Sequence, residues 1–300
     1  MKFHQKNYKW NTFLDLRNNE KDFLDSSVVI IPIPYDGTAS YKSGARHAPR
    51  AIINSSIELE TYDIEIQKDI SEKGIFTTPE ISPLASDPKD MLLKIETTID
   101  NLKLKKQITG TIGGDHSVTI GSVKSVIKRF PDLSILYLDA HADLRDTYMG
   151  TKWGHASVAR RLKSICKVVQ IGVRSISSEE INFISKSKSE NEIFFWDNTK
   201  DNLQETIDSA LKQLSNQVYI SIDLDVLDPS IMSAVGNPEP GGMNWEEINL
   251  IIKQTAQNHS IVGFDVTELS PNEGPESCSF TAAKLIYKLI GFATEKNKKL

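Results

Sequence analysis

Short runs of Val, Ile and Leu alternate with longer amphipathic stretches along almost the whole chain. That alternation confines the fold to helices packed on a mostly parallel sheet. Strands are expected at 27–33, 108–112, 134–138, 167–172, 192–195, 218–222 and 261–265, and helices at 89–104, 117–130, 157–165, 178–185, 203–214, 244–256 and 281–294. Asn244, followed three positions on by Glu247, has the pattern of an N-cap with its capping-box partner. Ser178 ahead of Glu179 and Glu180 puts acids in a first turn, where the helix dipole favours them. No repeat or low-complexity linker breaks the pattern, so the 300 residues read as one three-layer α/β domain, 1–300. Open parallel sheets carry their sites beyond the carboxyl ends of the strands.

Acidic residues fall at those ends. Asp139-Ala140-His141-Ala142-Asp143 follows Ile135-Leu136-Tyr137-Leu138, and Asp223-Leu224-Asp225 closes the run from Val218 to Ile222. Residues two apart on a strand share a face at about 6.5 Å, whereas residues four apart lie about 13 Å from each other. The chain must therefore curl after Asp139 if Asp143 is to join it, and the small Ala140 and Ala142 leave room. Gly113-Gly114-Asp115-His116-Ser117 lies between a strand and a helix, its glycines permitting a tight turn with the backbone close to a ligand. Singly, each segment also reads as a turn, a helix cap or a solvated end. In order, on successive strand–helix units, they place four carboxylates and two imidazoles where a pair of divalent ions could share them. Acids at the end of a buried strand are costly unless paired or bound to metal.

Four Asp with two His make an oxygen-rich set that favours manganese over zinc. Two such ions about 3.5–4 Å apart share a water and lower its pKa. That chemistry needs an electrophilic carbon, a proton shuttle and a hold on a leaving amine. A net charge of −5 argues against a nucleic-acid binder that tracks phosphates. No run approaches the roughly 20 apolar residues of a membrane span, and residues 1–6 hold no apolar stretch, so a cytoplasmic protein is expected. Cys166 and Cys278 have neither a disulfide nor a metal-binding spacing and are expected as buried reduced thiols.

Gly-Gly-Asp-His-Ser at 113–117, Asp-Ala-His-Ala-Asp at 139–143 and Ser-Ile-Asp-Leu-Asp-Val-Leu-Asp-Pro at 221–229 resemble motifs of the ureohydrolases, the arginase and agmatinase superfamily of manganese amidinohydrolases. The resemblance runs from Tyr35-Asp36-Gly37-Thr38 to Asp265-Val266-Thr267-Glu268-Leu269-Ser270-Pro271. It implies a three-layer α/β/α fold with an eight-stranded, mostly parallel sheet, assembled as a homo-oligomer, a trimer or hexamer. It also implies two Mn2+ ions per subunit, one held by His116, Asp139, Asp143 and Asp223, the other by His141, Asp139, Asp223 and Asp225. In the same likeness Asp143 orients a bridging hydroxide, His155 shuttles protons and Glu268 pairs with the substrate guanidinium. His4, His47 and His259 match nothing in the superfamily and are expected on the surface.

Arginases carry an asparagine in the loop after the Asp-x-His-x-Asp motif; here Leu144-Arg145-Asp146-Thr147-Tyr148-Met149-Gly150 has none before His155. That loop looks like the agmatinase one, as do the segments from Tyr35 to Arg50 and from Gly236 to Gly242. The implied substrate is a small cationic guanidino compound, agmatine, hydrolysed to putrescine and urea by hydroxide attack on the guanidinium carbon. Guanidinobutyrase, arginase and formiminoglutamase are the alternatives within the class. A single-zinc deacetylase would not need His116 and Asp143, and a non-catalytic metal-binding relative would be expected to lack a ligand or His155. One departure stands beside Glu268: Asn272-Glu273-Gly274-Pro275-Glu276-Ser277-Cys278 replaces the short aromatic-acidic turn usual in agmatinases. Glu273 and Glu276 are read there as solvated acids rather than a seat for a terminal ammonium.

Overall fold

The computed structural model describes residues 11–199 and 202–296, so His4 lies outside the described residues. The strands are β1 (Val28–Pro32), β2 (Tyr62–Asp63), β3 (Lys68–Asp69), β4 (Ile75–Thr77), β5 (Ile108–Ile112), β6 (Ser134–Leu138), β7 (Lys167–Val173), β8 (Ile193–Phe195), β9 (Gln217–Asp223) and β10 (Ser260–Thr267). The helices are α1 (Glu20–Asp25), α2 (Ala48–Ser56), α3 (Pro88–Asn101), α4 (Val118–Arg129), α5 (Val158–Leu162), α6 (Ser178–Ser187), α7 (Trp196–Thr199), α8 (Leu203–Leu211), α9 (Trp245–Asn258) and α10 (Ser277–Lys296). Eight strands form one sheet in the order β4-β1-β5-β10-β9-β6-β7-β8, while β2 and β3 make a separate small hairpin. Every pairing in the large sheet is parallel.

Side chains alternate between the two faces of each strand, and the core divides accordingly. Val28, Ile30, Leu136, Ile220 and Phe264 pack with residues of α2, α8, α9 and α10 on one side. Val29, Ile31, Ile135, Tyr137 and Tyr219 pack with residues of α3, α4, α5 and α6 on the other. The result is the expected three-layer α/β/α arrangement. Strands buried on both faces read as unbroken apolar runs, which is why they stood out in the sequence. No helix among the described residues is long and apolar enough to cross a membrane.

The expected strands all form, with bounds within two residues. The eighth strand, β4, carries too few residues to show a period and is held at the sheet edge by pairing with β1. Also unread were α1, α2, α7 and the β2–β3 hairpin. The first turn of α6 is capped one residue earlier than expected: Ser177 accepts from Glu180 N, and the Glu180 carboxylate returns to Ser177 N at 2.8 Å. The capping box of Asn244 and Glu247 forms as expected. Helix α3 ends at Asn101, short of the expected 104, because Lys103 takes a left-handed φ of 53°.

Four adjacent strands position the site. Leu138 of β6 pairs with Ile222 of β9, Ile222 with Val266 of β10, and Val266 with Ile112 of β5. These strands therefore run out on one level, and the residues that follow, Asp139, Asp223, Thr267 and Gly113, form a row along the carboxyl edge. Adjacent strands sit about 4.8 Å apart, close enough for carboxylates on neighbouring ends to share a ligand.

Candidate active site

At this edge the four Asp and two His of the sequence motifs converge. The Nδ1 of His116 lies 3.1 Å from Asp139 Oδ2 and 3.1 Å from Asp223 Oδ2, with Asp143 Oδ2 at 3.6 Å. The Nδ1 of His141 lies 2.8 Å from Asp225 Oδ2 and 3.7 Å from Asp139 Oδ1. Two compact donor sets result, His116–Asp139–Asp223 and Asp139–His141–Asp225, each with ligating atoms within 4.8 Å of one another. Asp139 belongs to both. Asp143 stands just outside the first set, and Asp223 outside the second.

The backbone explains the convergence. Asp143 has φ of 51°, the left-handed turn that folds it back toward Asp139. The curl is fastened by Gln170 Nε2 donating to Ala142 O at 3.0 Å and by Arg174 and Ser175 N–H groups on Ala140 O. Past Asp223 the strand gives way to a short 3-10 turn, Leu224–Val226, and Asp225 N donates to Asp223 Oδ1 at 2.9 Å. The Arg174 guanidinium braces the same turn by donating to Asp225 O and Glu239 O, both at 2.7 Å. The glycines of the 113–117 turn are required by the protein's own packing. A Cβ on Gly114 would lie 2.0 Å from Tyr35 O, and one on Gly113 would meet Val118 and Thr267. The close approach these glycines permit is to the protein's own chain.

Electrostatics follow from burial and crowding. Burial pushes the Asp223 and Asp143 carboxyls well up, reinforced by Asp225 and Asp139 beside Asp223 and by Asp139 beside Asp143. At Asp139 burial acts in the same direction, but the His116 and His141 imidazoles outweigh it and hold this carboxyl low. Both imidazoles, opposed by burial, are drawn up by the acids around them. The Asp139 Oδ2 oxygen is buried and accepts no hydrogen bond among the described residues. Four carboxyls are crowded with two imidazoles in one buried cluster, and carboxyls forced together in this way are what a divalent ion relieves. The donor set therefore fits a pair of such ions.

Above the acids a cavity of about 280 Å3 is lined by Ser40, Lys42, Tyr148, His155, Asn237 and Glu268, among others. Glu268 Oε1 accepts the His116 N–H at 2.7 Å, whereas Oε2 takes no protein donor among the described residues and lies toward Gly236. Burial, then the nearby Asp115, pushes the Glu268 carboxyl up. Burial lowers the His155 imidazole, with Asp115 acting against it. Glu276 is exposed, as read, but Glu273 is engaged by Lys42 Nζ at 2.5 Å. His47 is exposed, while His259 is half-buried and its Nδ1 lies 2.8 Å from Ser215 O, a correction to the surface reading. Cys278 is a buried free thiol; Cys166 is free but only half-buried.

Several site residues escaped the sequence reading. Tyr137 stacks on His116 at 4.6 Å between ring centroids and donates its hydroxyl to Asp143 Oδ2 at 2.8 Å. Ser221 lies 2.9 Å from His116 Nε2 and donates to Asp265 Oδ1 at 2.8 Å. Strand alternation from Asp223 would have put Ser221 on the same face. The same alternation counted back from Asp139 puts Tyr137 on the site face of β6.

Residues 26–291 match the family model described as Arginase family. The chain is 32% identical over 288 residues to the N(1)-aminopropylagmatine ureohydrolase of Synechocystis, covering 92% of each chain. It is 33% identical to the agmatinase of Pyrococcus horikoshii, covering 95% of this chain and 98% of that one. The crystal structure of the agmatine ureohydrolase of Thermoplasma volcanium superposes with a TM-score of 0.84 at 29% identity, covering 97% of both chains.

Proposed function

The chain belongs to the arginase family of ureohydrolases, and on that premise we propose that it hydrolyses agmatine to putrescine and urea with two Mn2+ ions per subunit. The observation that carries this is the pair of Asp/His sets sharing Asp139, directly beneath a carboxylate with one open oxygen. His116, Asp139, Asp143 and Asp223 would hold one ion; His141, Asp139, Asp223 and Asp225 the other. Carboxylate with imidazole suits manganese. A pair of divalent ions supplies a water acidic enough to act as nucleophile near neutral pH.

The remaining work falls to the chain's own groups. Glu268, fixed through Oε1, offers Oε2 to a guanidinium N–H and sets the planar carbon over the acids. Asp143, gripped by Tyr137, keeps its other oxygen for a hydrogen of the attacking water. Addition of water to the guanidinium carbon gives a tetrahedral centre, and its collapse breaks the C–N bond to the alkyl nitrogen. His155 faces the cavity and delivers the proton that lets the amine leave. Similarity to the Synechocystis enzyme supports a second substrate, N(1)-aminopropylagmatine. We also propose a cytoplasmic homo-oligomer.

Urea release by manganese-loaded protein, measured in parallel on agmatine, N(1)-aminopropylagmatine, arginine and guanidinobutyrate, tests this. Highest kcat/KM on agmatine is expected. Preference for the aminopropyl compound would support the second reading, and preference for an acid would move recognition to the altered 272–278 loop. No urea from any of them would overturn the assignment.

A further inference from the structure

A hydroxyl pair from the loop after β1 brackets His155. Thr38 Oγ1 accepts the His155 backbone N–H at 3.0 Å and lies 3.4 Å from its Nδ1, while Ser40 Oγ lies 3.1 Å from Nε2. The His155 and Tyr148 rings stand T-shaped to each other with centroids 5.8 Å apart. Thr38 in turn is tied to Asp115, which is fully buried. Both the Thr38 N–H and its hydroxyl reach Asp115 Oδ2 at 2.8 Å, and Oδ1 takes the Ser117 N–H and hydroxyl.

The two Asp115 oxygens take four donors, two of them backbone N–H groups, so the Thr38 hydroxyl gives its single hydrogen to Asp115. Toward His155 it then presents only lone pairs. An unprotonated Nδ1 there would set lone pair against lone pair; a protonated one makes a hydrogen bond. With its hydrogen on Nδ1, the neutral ring leaves Nε2 bare, able to accept from Ser40 and to take or return a proton in the cavity that both side chains line.

We propose that Thr38, backed by Asp115, is a positioning residue that holds His155 in the Nδ1–H tautomer with Nε2 open to the substrate pocket. The logic is that of a carboxylate orienting a catalytic imidazole, with a hydroxyl interposed. Its catalytic consequence rests on the proton-delivery role given to His155 above; the tautomer itself does not.

Two measurements separate these. In the full-length, metal-free protein labelled with 15N-histidine, the His155 signals, assigned by their loss in His155→Asn, should show a protonated Nδ1 and a bare Nε2. A protonated Nε2 in the wild type would overturn the proposal with no substitution made. In manganese-loaded enzyme, Thr38→Val should lower kcat by about tenfold or more with KM and bound manganese unchanged, and Thr38→Ser should recover most of the loss. Thr38→Ser as impaired as Thr38→Val, or Thr38→Val at wild-type kcat, would also overturn it. Full activity in His155→Asn would instead remove the proton-delivery role, while the spectrum still decides the tautomer.

Discussion

Replacing Gly114 with alanine tests how the site is built. Gly114 has no positive φ, so its requirement for glycine is one of space: a Cβ would sit 2.0 Å from Tyr35 O, 2.6 Å from Tyr35 C and 3.0 Å from Tyr35 N. These are backbone atoms and cannot rotate away. Relief requires the 113–117 turn and the loop after β1 to separate by more than about 1 Å, since ordinary carbon–oxygen contacts begin well above 3 Å. The separation breaks the hydrogen bond from Asp115 N to Tyr35 O, now 2.8 Å. Overpacking costs about 1–3 kcal/mol and a buried donor left unpaired about 1–3 kcal/mol more. At about 2 °C per kcal/mol for a chain of this size, the melting temperature should fall by about 4–12 °C. Activity should fall further than stability explains, because Thr38 and Ser40 ride on the displaced loop. Thermal melts of metal-free protein read the first effect and urea release below the melting range the second. Gly150→Ala is the control: its φ is 83° with nothing near the added Cβ, so it costs backbone strain alone, about 1–2 kcal/mol. A Gly114→Ala protein melting within about 1 °C of wild type would refute the reasoning.

Ser221→Ala removes the partner of His116 Nε2. Loss of such an outer partner should weaken metal binding by about 10–100-fold with little change in fold, read by competition with a chelating dye; unchanged affinity would show that Ser221 does not orient the imidazole. Asp228 accepts from the Ser230, Gly241 and Gly242 N–H groups, and the Ser230 contacts above all hold its carboxyl below the ordinary range. A depressed folded pKa contributes stability that is complete above the unfolded value, about 3.9, and is lost as pH falls through the folded one. The urea midpoint of Asp228→Ala should therefore trail wild type at neutral pH and approach it below about pH 4; a gap constant with pH would contradict this.

The fold was legible because strands buried on both faces appear as apolar runs, and because Asp139 and Asp223 break those runs where the strands end. Short elements held by tertiary pairing were not. β4 has no period of its own and exists as the neighbour of β1, and α2 opens with Ala-Pro rather than a side-chain cap. The acids and imidazoles of the cluster could be named from their motifs, since each lies within a few residues of a strand end. Their supports could not. Thr38 meets His155 across 117 positions, Lys42 meets Glu273 across 231, and Ser221 reaches Asp265 across 44. Such contacts are set by strand order, β5-β10-β9-β6, which no local pattern encodes. The same distance in sequence hid the pairing of Glu273, which looked like a solvated acid until Lys42 was brought to it.

The most direct test of a two-ion centre measures bound manganese and urea release on the same samples as metal-free protein is titrated with Mn2+. Binding should reach two equivalents per subunit, with agmatine hydrolysis rising steeply only as the second is filled. Asp225→Ala should stop near one equivalent with an intact fold and little activity. Full turnover at one equivalent, or two full equivalents in Asp225→Ala, would contradict the shared Asp/His site on which the proposed function stands.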